Sequence, residues 1–379
     1  MVTITQHPSE TSFAGNPIIL KATSNLLEKT FLKICAEVTI NIYQRAKNLS
    51  TFTRLLSIPT NGGGAEKETV VFDLSDLMQS ALSQISMERC DILSGGTPSF
   101  TGGYVRYTVK LWDEYLDSYS EVVSTESNGY QSTGIRNAIP GSYTDLQRLK
   151  NPEDTDSYLG SAKILSNKPE HEAVPAGGKV VVPVYSNSYK SAGVYLNSVQ
   201  SSNRLTTHSL YTSEVSWADI TIPESIRGLS ALIWDGLNVP PFFVYAVPKQ
   251  PFATYFEFVN RLGAVESIYT YGRRQHKHNV KQERQIKKYN TSFRPAARYV
   301  KRTLQEEESI VMSTGPVTRE WAQWFAREFF TAEKAWMYSE DAADMIPVII
   351  ECEEDISTIN ESEAEVLDLQ FTVVKCING

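Results

Sequence analysis

Cysteine is scarce in this chain. Cys35, Cys90, Cys352 and Cys376 are the four in 379 residues, and no two of them form a Cys-x-x-Cys unit. That spacing excludes a zinc ribbon or a dithiol redox centre, and the low count excludes a disulfide-dense scaffold. Cys352 and Cys376 could face each other on neighbouring strands, but all four are expected to be buried free thiols in a reducing compartment. Long apolar runs are missing too: nothing approaches the roughly 18 residues of a membrane-spanning helix. The start, Met1-Val-Thr-Ile-Thr-Gln-His7-Pro8, has neither the basic residues nor the apolar stretch of a signal peptide, so synthesis in the cytoplasm is expected. Histidine is equally sparse. His7, His171 and His208 stand alone in loop-like contexts, and His276-Lys-His278, which would share one strand face, has no third or fourth ligand nearby and a cationic setting that repels a metal ion.

What is present favours sheets. Apolar residues are 41% and charged residues 21% of the chain, enough for true interiors, and 19 Tyr and 15 Phe with abundant Thr, Ser and Val suit a pleated, half-buried surface. The length implies two or three domains. The fold class expected is mainly β: an N-terminal immunoglobulin-like β-sandwich, a linker, and a larger strand-rich C-terminal part with one amphipathic helix. In 1–123, Leu32–Ile42 places Ile34, Ala36, Val38, Ile40 and Ile42 on one face, and Tyr104–Trp112 does the same with Val105, Tyr107, Val109 and Leu111. Ser75 is the expected N-cap of a short helix carrying Leu77, Met78, Ala81 and Leu82. From 124 to 160 the pattern dissolves into Ser, Asn, Gly, Asp and Pro, which predicts a linker or long inter-domain loop. Strand signals resume in a β-rich region 161–250, and 251–379 is read as a third β-rich region. There Thr318 caps a helix, 318–330, whose apolar face is Trp321, Trp324, Phe325 and Phe329. Met345–Ile350 and Val366–Val374 close the chain as two strands.

Charge is distributed unevenly. The formal net charge is −8, yet residues 272–302 hold eleven Lys or Arg against one Glu, whereas 303–379 hold seventeen Asp or Glu against four Lys or Arg. Opposite blocks so close together read as complementary contact surfaces, within the chain or between copies. The candidate interface residues are Arg273, Arg274, Lys277, Lys281, Arg284, Lys287, Lys288, Arg294, Arg298, Lys301 and Arg302 on the basic side. On the acidic side they are Glu306, Glu307, Glu308, Glu353, Glu354 and Asp355. Tyr289, Phe293 and Tyr299 interleave with the cations as a nucleic-acid groove would require, but the pI near 5.4 and the abutting acidic block make nucleic acid an unlikely partner.

No motif carries catalysis. Gly62-Gly-Gly64 lacks the Gly-Lys-Ser/Thr of a phosphate loop and reads as a hairpin tip. Gly228-Leu-Ser230-Ala-Leu232 is not Gly-x-Ser-x-Gly. The acidic clusters lack both the apolar pocket of a general acid and the Asp/Asn/Gly alternation of a calcium loop. Trp321 and Trp324, three residues apart on an amphipathic helix, read as core rather than as a sugar platform. The expectation is a non-enzymatic protein with no cofactor and no metal.

Several segments together carry a resemblance. They are Pro8-Ser-Glu-Thr-Ser-Phe-Ala-Gly-Asn-Pro17, Phe72-Asp-Leu-Ser-Asp-Leu77, Ile164-Leu-Ser-Asn-Lys-Pro169, Val259-Asn-Arg-Leu-Gly263, Glu266-Ser-Ile-Tyr-Thr-Tyr-Gly272 and Glu306-Glu-Glu-Ser309. The chain resembles uncharacterised tail-module proteins of phages and prophages of Bacteroidetes bacteria. The resemblance implies a virion structural protein of a tail, baseplate or fibre attachment, assembled with other tail proteins and with copies of itself. The alternative is a glycan-binding adhesin at a tail tip or cell surface, with a surface glycan as its partner.

Overall fold

The computed structural model describes residues 1–26, 29–44, 47–60, 68–85, 99–142, 159, 161–198, 202–210, 212–286, 299–339, 344–352 and 365–376, with the backbone alone at 30, 99–101, 128, 198, 218, 278–286 and 299–308. The chain is mainly β, arranged as two sandwiches and a helix-backed sheet.

The first sandwich is built from β1 (Val2–Gln6), β2 (Thr11–Phe13), β3 (Ile19–Ser24), β4 (Thr30–Gln44), β5 (Lys47–Pro59) and β6 (Thr69–Asp73), followed by α1 (Ser75–Leu82). Then come β7 (Ser99–Thr101), β8 (Tyr104–Leu116), β9 (Val122–Ser124), α2 (Glu126–Gly129), β10 (Gln131–Ser132) and β11 (Arg136–Ile139). A β1-β3-β6 sheet faces a larger one ordered β2-β11-β8-β4-β5, with β9 and β10 added to β8. The alternation read in the sequence is the reason they stack. Ile34, Ala36, Val38, Ile40 and Ile42 of β4 and Val105, Tyr107, Val109 and Leu111 of β8 are all buried against Leu20, Ala22 and Phe72 of the smaller sheet. Helix α1 adds Met78 and Ala81 to the same core. Its cap differs from the expectation. Ser75 lies inside the helix, and the Asp73 carboxylate does the capping, accepting from Ser75 N (2.9 Å) and from Ile18 N (3.1 Å).

The segment read as linker, 124–160, is not wholly irregular. Its β11 pairs with β2 in parallel and with β8 antiparallel, burying Ala138 and Ile139. Two buried apolar positions are too few to register as periodicity. The Gly62–Gly64 turn and residues 143–158 lie outside the described residues.

The second sandwich contains β12 (Lys163–Ile164), β13 (Glu172–Pro175), β14 (Lys179–Ser186), β15 (Lys190–Ser198), β16 (Ser202–Leu210), β17 (Glu214–Thr221), β18 (Gly228–Trp234) and β19 (Phe242–Val247). One sheet runs β13-β19-β18-β15-β16. The other runs β12-β14-β17-β7, so a strand from within the first sandwich's sequence completes the second, with Trp217 opposite Phe100. Val180, Val182, Val194, Leu196, Leu232 and Val244 fill the core between the two sheets.

The third unit has β20 (Thr254–Val259), β21 (Val265–Thr270), β22 (Gln275–Ile286), β23 (Tyr299–Ser313), β24 (Val317–Thr318) and α3 (Arg319–Trp324). A π-helical turn (Phe325–Phe329) and β25 (Ala335–Ser339), β26 (Asp344–Glu351), β27 (Val366–Leu367) and β28 (Gln370–Lys375) complete it. One sheet is ordered β21-β20-β25-β26-β28-β23-β22. Thr318 caps α3 as expected, its side chain accepting from Trp321 N. The expected single helix widens at Phe325, where Phe330 N donates to Phe325 O (2.9 Å). The wide turn brings the rings of Phe329 and Phe330 to 5.8 and 5.3 Å from Phe371 of the sheet and leaves Glu328 free to turn the other way. The expected strand Val366–Val374 is interrupted at Asp368, whose carboxylate accepts from Gly315 N, and Leu369 N donates to Thr314 Oγ1.

Candidate functional site

Strand β22 of the basic block pairs antiparallel with β23, which carries the last residues of that block and then the acidic triad. In register, His278 stands opposite Glu308, Asn279 opposite Glu307 and Val280 opposite Glu306. Beyond the bulge at Lys281/Gln282, Glu283 stands opposite Arg302 and Arg284 opposite Lys301. β23 pairs with β28 only through Ser309–Ser313. Among the described residues, 278–286 and 299–308 therefore form a two-stranded ribbon extending about 30 Å past the sheet at about 3.3 Å per residue. Its outer part carries Lys281, Arg284, Lys301 and Arg302 against Glu283 alone. Like charges directly opposite, as at Arg284 and Lys301, destabilise a bare ribbon and favour one covered by anionic groups.

The other expected interface residues divide. Arg273 and Lys277 are exposed at the root of the ribbon. Arg274 is not a free docking cation: its Nε donates to Thr254 Oγ1 (2.8 Å) and its terminal nitrogen to Ala253 O (3.1 Å). Lys287, Lys288, Arg294, Arg298, Glu353, Glu354 and Asp355 lie outside the described residues, as do Tyr289 and Phe293.

A second constellation escaped sequence reasoning, although three of the segments that carry the resemblance meet in it. The loop after β12 sends the Lys168 ammonium into the seam between the second sandwich and the third unit. There Nζ lies 2.7 Å from Glu172 Oε2 and 4.0 Å from Glu266 Oε2, donates to Ser267 O, and rests over the rings of Trp324 (5.8 Å) and Phe242 (5.9 Å). All three charged side chains are sealed, at 1–2% exposure. Ser166 Oγ donates to Glu266 Oε2 (2.6 Å), and Asn260 Nδ2 donates to Glu266 Oε1 (3.1 Å) and Leu165 O (2.8 Å). Burial pushes Glu266 up to about 7, against the pull of Lys168 and the hydroxyl of Ser166, and raises Glu172 for the same reason. Further stitches run from Val181 N to Ser267 Oγ (2.8 Å) and from Tyr271 OH to Ala173 O (2.8 Å). The sequence held no signal for this: Lys168 and Glu172 lie four residues apart outside any helix, and Glu266, nearly a hundred residues on, shares neither period nor motif with them.

A cleft of ≈ 650 Å³ opens beside this seam, between the first sandwich and the third unit, lined by Gln79, Ser83, Arg261, Glu328, Glu333 and Lys334 among others. Glu328 is a strut there, since Oε1 accepts from Asn167 Nδ2 (3.2 Å) and Oε2 from Arg261 N (3.0 Å). The floor is a near collision of backbones. Gly141 (φ 93°) and Gly263 (φ 71°) pass so closely that a Cβ on Gly141 would lie 2.1 Å from Leu262 C, and one on Gly263 2.4 Å from Pro140 C. Ser142 N donates to Arg261 O (2.7 Å) across the same crossing.

His208 is not in a loop as expected. It is buried in β16, its Nδ1 accepts from Trp234 Nε1 (3.1 Å), and burial pushes it down to about 4. Cys35 is buried and pushed up to about 12 by desolvation, but Cys352 is half-buried and Cys376 exposed, which corrects the expectation of burial for these two. Cys90 lies outside the described residues. Among the described residues no group of three or more His, Cys, Asp or Glu is placed to hold a metal ion, and no helix is long and apolar enough to cross a membrane.

No protein-family model matches this chain, and no curated protein matches it. Solved structures give faint likenesses. The calcium-binding domain CBD12 of CALX1.1 is 9% identical, with 66% of this chain and 83% of that one covered and a TM-score of 0.19. Trypsin-activated alpha-2-macroglobulin from Escherichia coli is 9% identical, with 98% of this chain and 21% of that one covered and a TM-score of 0.23. The I9–I11 tandem from titin is 8% identical, with 82% and 95% covered and a TM-score of 0.17. These scores are too low to carry an argument about this chain, whose description as stacked β units rests on its own sheets and cores.

Proposed function

We propose that the chain is a non-enzymatic structural protein that acts by assembly with copies of itself and with neighbouring proteins, as a component of a phage tail, baseplate or fibre attachment in the virion. The observation that carries this reading is the charged ribbon of β22 and β23. It extends past the sheet that holds it, sets Arg284 opposite Lys301, and has the acidic triad Glu306–Glu308 along the stretch nearest the sheet. A basic outer part and an acidic inner part on one arm suit head-to-tail contact, in which the outer part of one arm meets an acidic surface of the next molecule. The buried seam supports the same reading, because an arm transmits position only if the units behind it are fixed to one another.

The test is sedimentation of the full chain across ionic strength, for the natural sequence and for a variant with Lys281, Arg284, Lys301 and Arg302 changed to Glu. Assembly beyond a dimer that dissolves in high salt and is lost in the variant is expected. Larger assembly indifferent to both, or none beyond a dimer with itself or with co-expressed neighbours, overturns the reading.

A further inference from the structure

The longest unprotected edge in the described structure lies far from the ribbon, on the first sandwich. β5 pairs with β4 and ends its sheet, so one side of its thirteen-residue backbone is open. Natural edges are blunted by charges, proline, bulges or covering loops. Here a bulge opposite Ile42/Tyr43 marks the start and Pro59 the end. From Leu49 to Ile58 the strand reads Leu-Ser-Thr-Phe-Thr-Arg-Leu-Leu-Ser-Ile, with Arg54 its single charge. Phe52, Leu56 and Ile58 pack on the sandwich core, while Leu49 and Leu55 stand 52% and 66% exposed on the opposite face. Such a strand is two-faced, long and nearly neutral, which suits continuation of the sheet by another strand.

We propose that β5 pairs antiparallel with β5 of a second copy about a two-fold axis at Thr53, joining the two sandwiches into one continuous sheet. Three features select this occupant and register. In an antiparallel pair each residue stands opposite one of the same face, so a self-pair must be centred on a residue. With the bulge at Leu49 the ladder is regular from Ser50, and a centre at Thr53 sets Ser50 opposite Leu56. That register also sets Arg54 opposite Phe52 of the second copy, repeating between molecules the cation–π contact already made within one, where the guanidinium carbon lies 5.3 Å from the ring centre. Exposed Leu55 then stands opposite Thr51, with no like charges opposed. Centring on Arg54 instead would oppose two guanidinium groups, and a centre at Leu55 would set Arg54 opposite Leu56 and give up the cation–π contact. The pairing is isologous and closes as a dimer.

This inference does not rest on the ribbon, and salt separates the two. The experiment is sedimentation of the full chain in low and high salt, in the natural sequence, in Thr53→Lys and Thr53→Glu, and in an equimolar mixture of the two variants. Thr53 is exposed and outward-facing, and unchanged circular dichroism and melting show that each variant is folded. Expected are a dimer of the natural chain that survives high salt, monomers of each variant, and recovery of the dimer in the mixture, where Lys meets Glu on the axis. A natural chain that is monomeric throughout the micromolar range overturns the proposal, as does a Thr53→Lys dimer. Variants that separate but do not recombine overturn the register. Self-association lost in salt but indifferent to Thr53 leaves the ribbon as the contact and removes β5; retention of an added extended peptide by a monomeric natural chain makes β5 a receptor for a foreign strand and likewise overturns self-pairing.

Discussion

Lys168 and Glu172, 2.7 Å apart and almost wholly sealed from water, form an ion pair at the seam where the second sandwich meets the helix-backed sheet. Two carboxylates share the one ammonium, and Glu172 Oε1 has no hydrogen-bond partner among the described residues. The arrangement fixes orientation more than it adds stability, because desolvating charges offsets most of their attraction.

Replacing Lys168 by Met strands both carboxylates and is expected to cost about 3–5 kcal/mol. Adding Glu172→Gln and Glu266→Gln to the same variant should restore most of that loss. Denaturant midpoints of the single and triple variants check this; equal losses in both would show that the packing of the aliphatic stem, rather than charge, matters here.

Two buried carboxylates and one buried histidine pull the response to pH in opposite directions. Glu266 titrates near 7 in the folded chain against 4.5 for a free side chain, so its contribution to stability is complete below about pH 4.5 and is lost as pH rises to 7. Glu172, also raised, acts in the same direction. His208 is the reverse: held near 4 against 6.5, it contributes fully above pH 6.5 and loses that as pH falls toward 4. For Glu266 and for His208 the effect is about 3 kcal/mol at its limit. Because two raised carboxylates act against one histidine, the natural chain should melt somewhat lower as pH rises from 4.5 to 7. Glu266→Gln should melt progressively lower on the acid side and His208→Gln on the neutral side, as thermal scans across this range will show.

The crossing of Gly141 and Gly263 tolerates no side chain. Gly263→Ala would drive a methyl into Pro140 and hold a non-glycine residue at positive φ, with an expected loss of about 2–4 kcal/mol. The lesion should appear as faster exchange of the Ser142 amide, which bonds to Arg261 O across this crossing, before any change in the cores of the individual sandwiches. Exchange that rises everywhere at once would place the damage elsewhere.

Thiol chemistry should rank by burial. Alkylation of the native chain at mild alkaline pH, mapped by peptide mass, should modify Cys376 first and Cys352 more slowly. Cys35, whose thiol is desolvated and pushed up to about 12, should react only after unfolding.

The sequence disclosed those elements whose burial is periodic. The inward faces of β4 and β8 and the Thr318 cap were legible because each is written in neighbouring residues. β5 was not, since Ser50 and Arg54 interrupt Phe52, Leu56 and Ile58 on its core face, while its outer face mixes Leu55 with Thr51, Thr53 and Ser57. The π-helical turn was hidden because its cause, the ring of Phe371, lies over forty residues away. The pairing of β22 with β23 was only half visible: the charges were plain, but their register includes a bulge at Lys281/Gln282. The seam around Lys168 left no trace at all, because contacts between distant, singly placed polar residues have no local pattern.

The passage of β7 into the second sandwich means that no single cut frees that sandwich intact. A fragment beginning at 161 would lack the strand that covers β17 and would present a raw ladder through Ser216–Ala218, ready to capture any extended chain. The first two units are laced rather than linked, so pulling one from the other must first unzip that three-residue ladder.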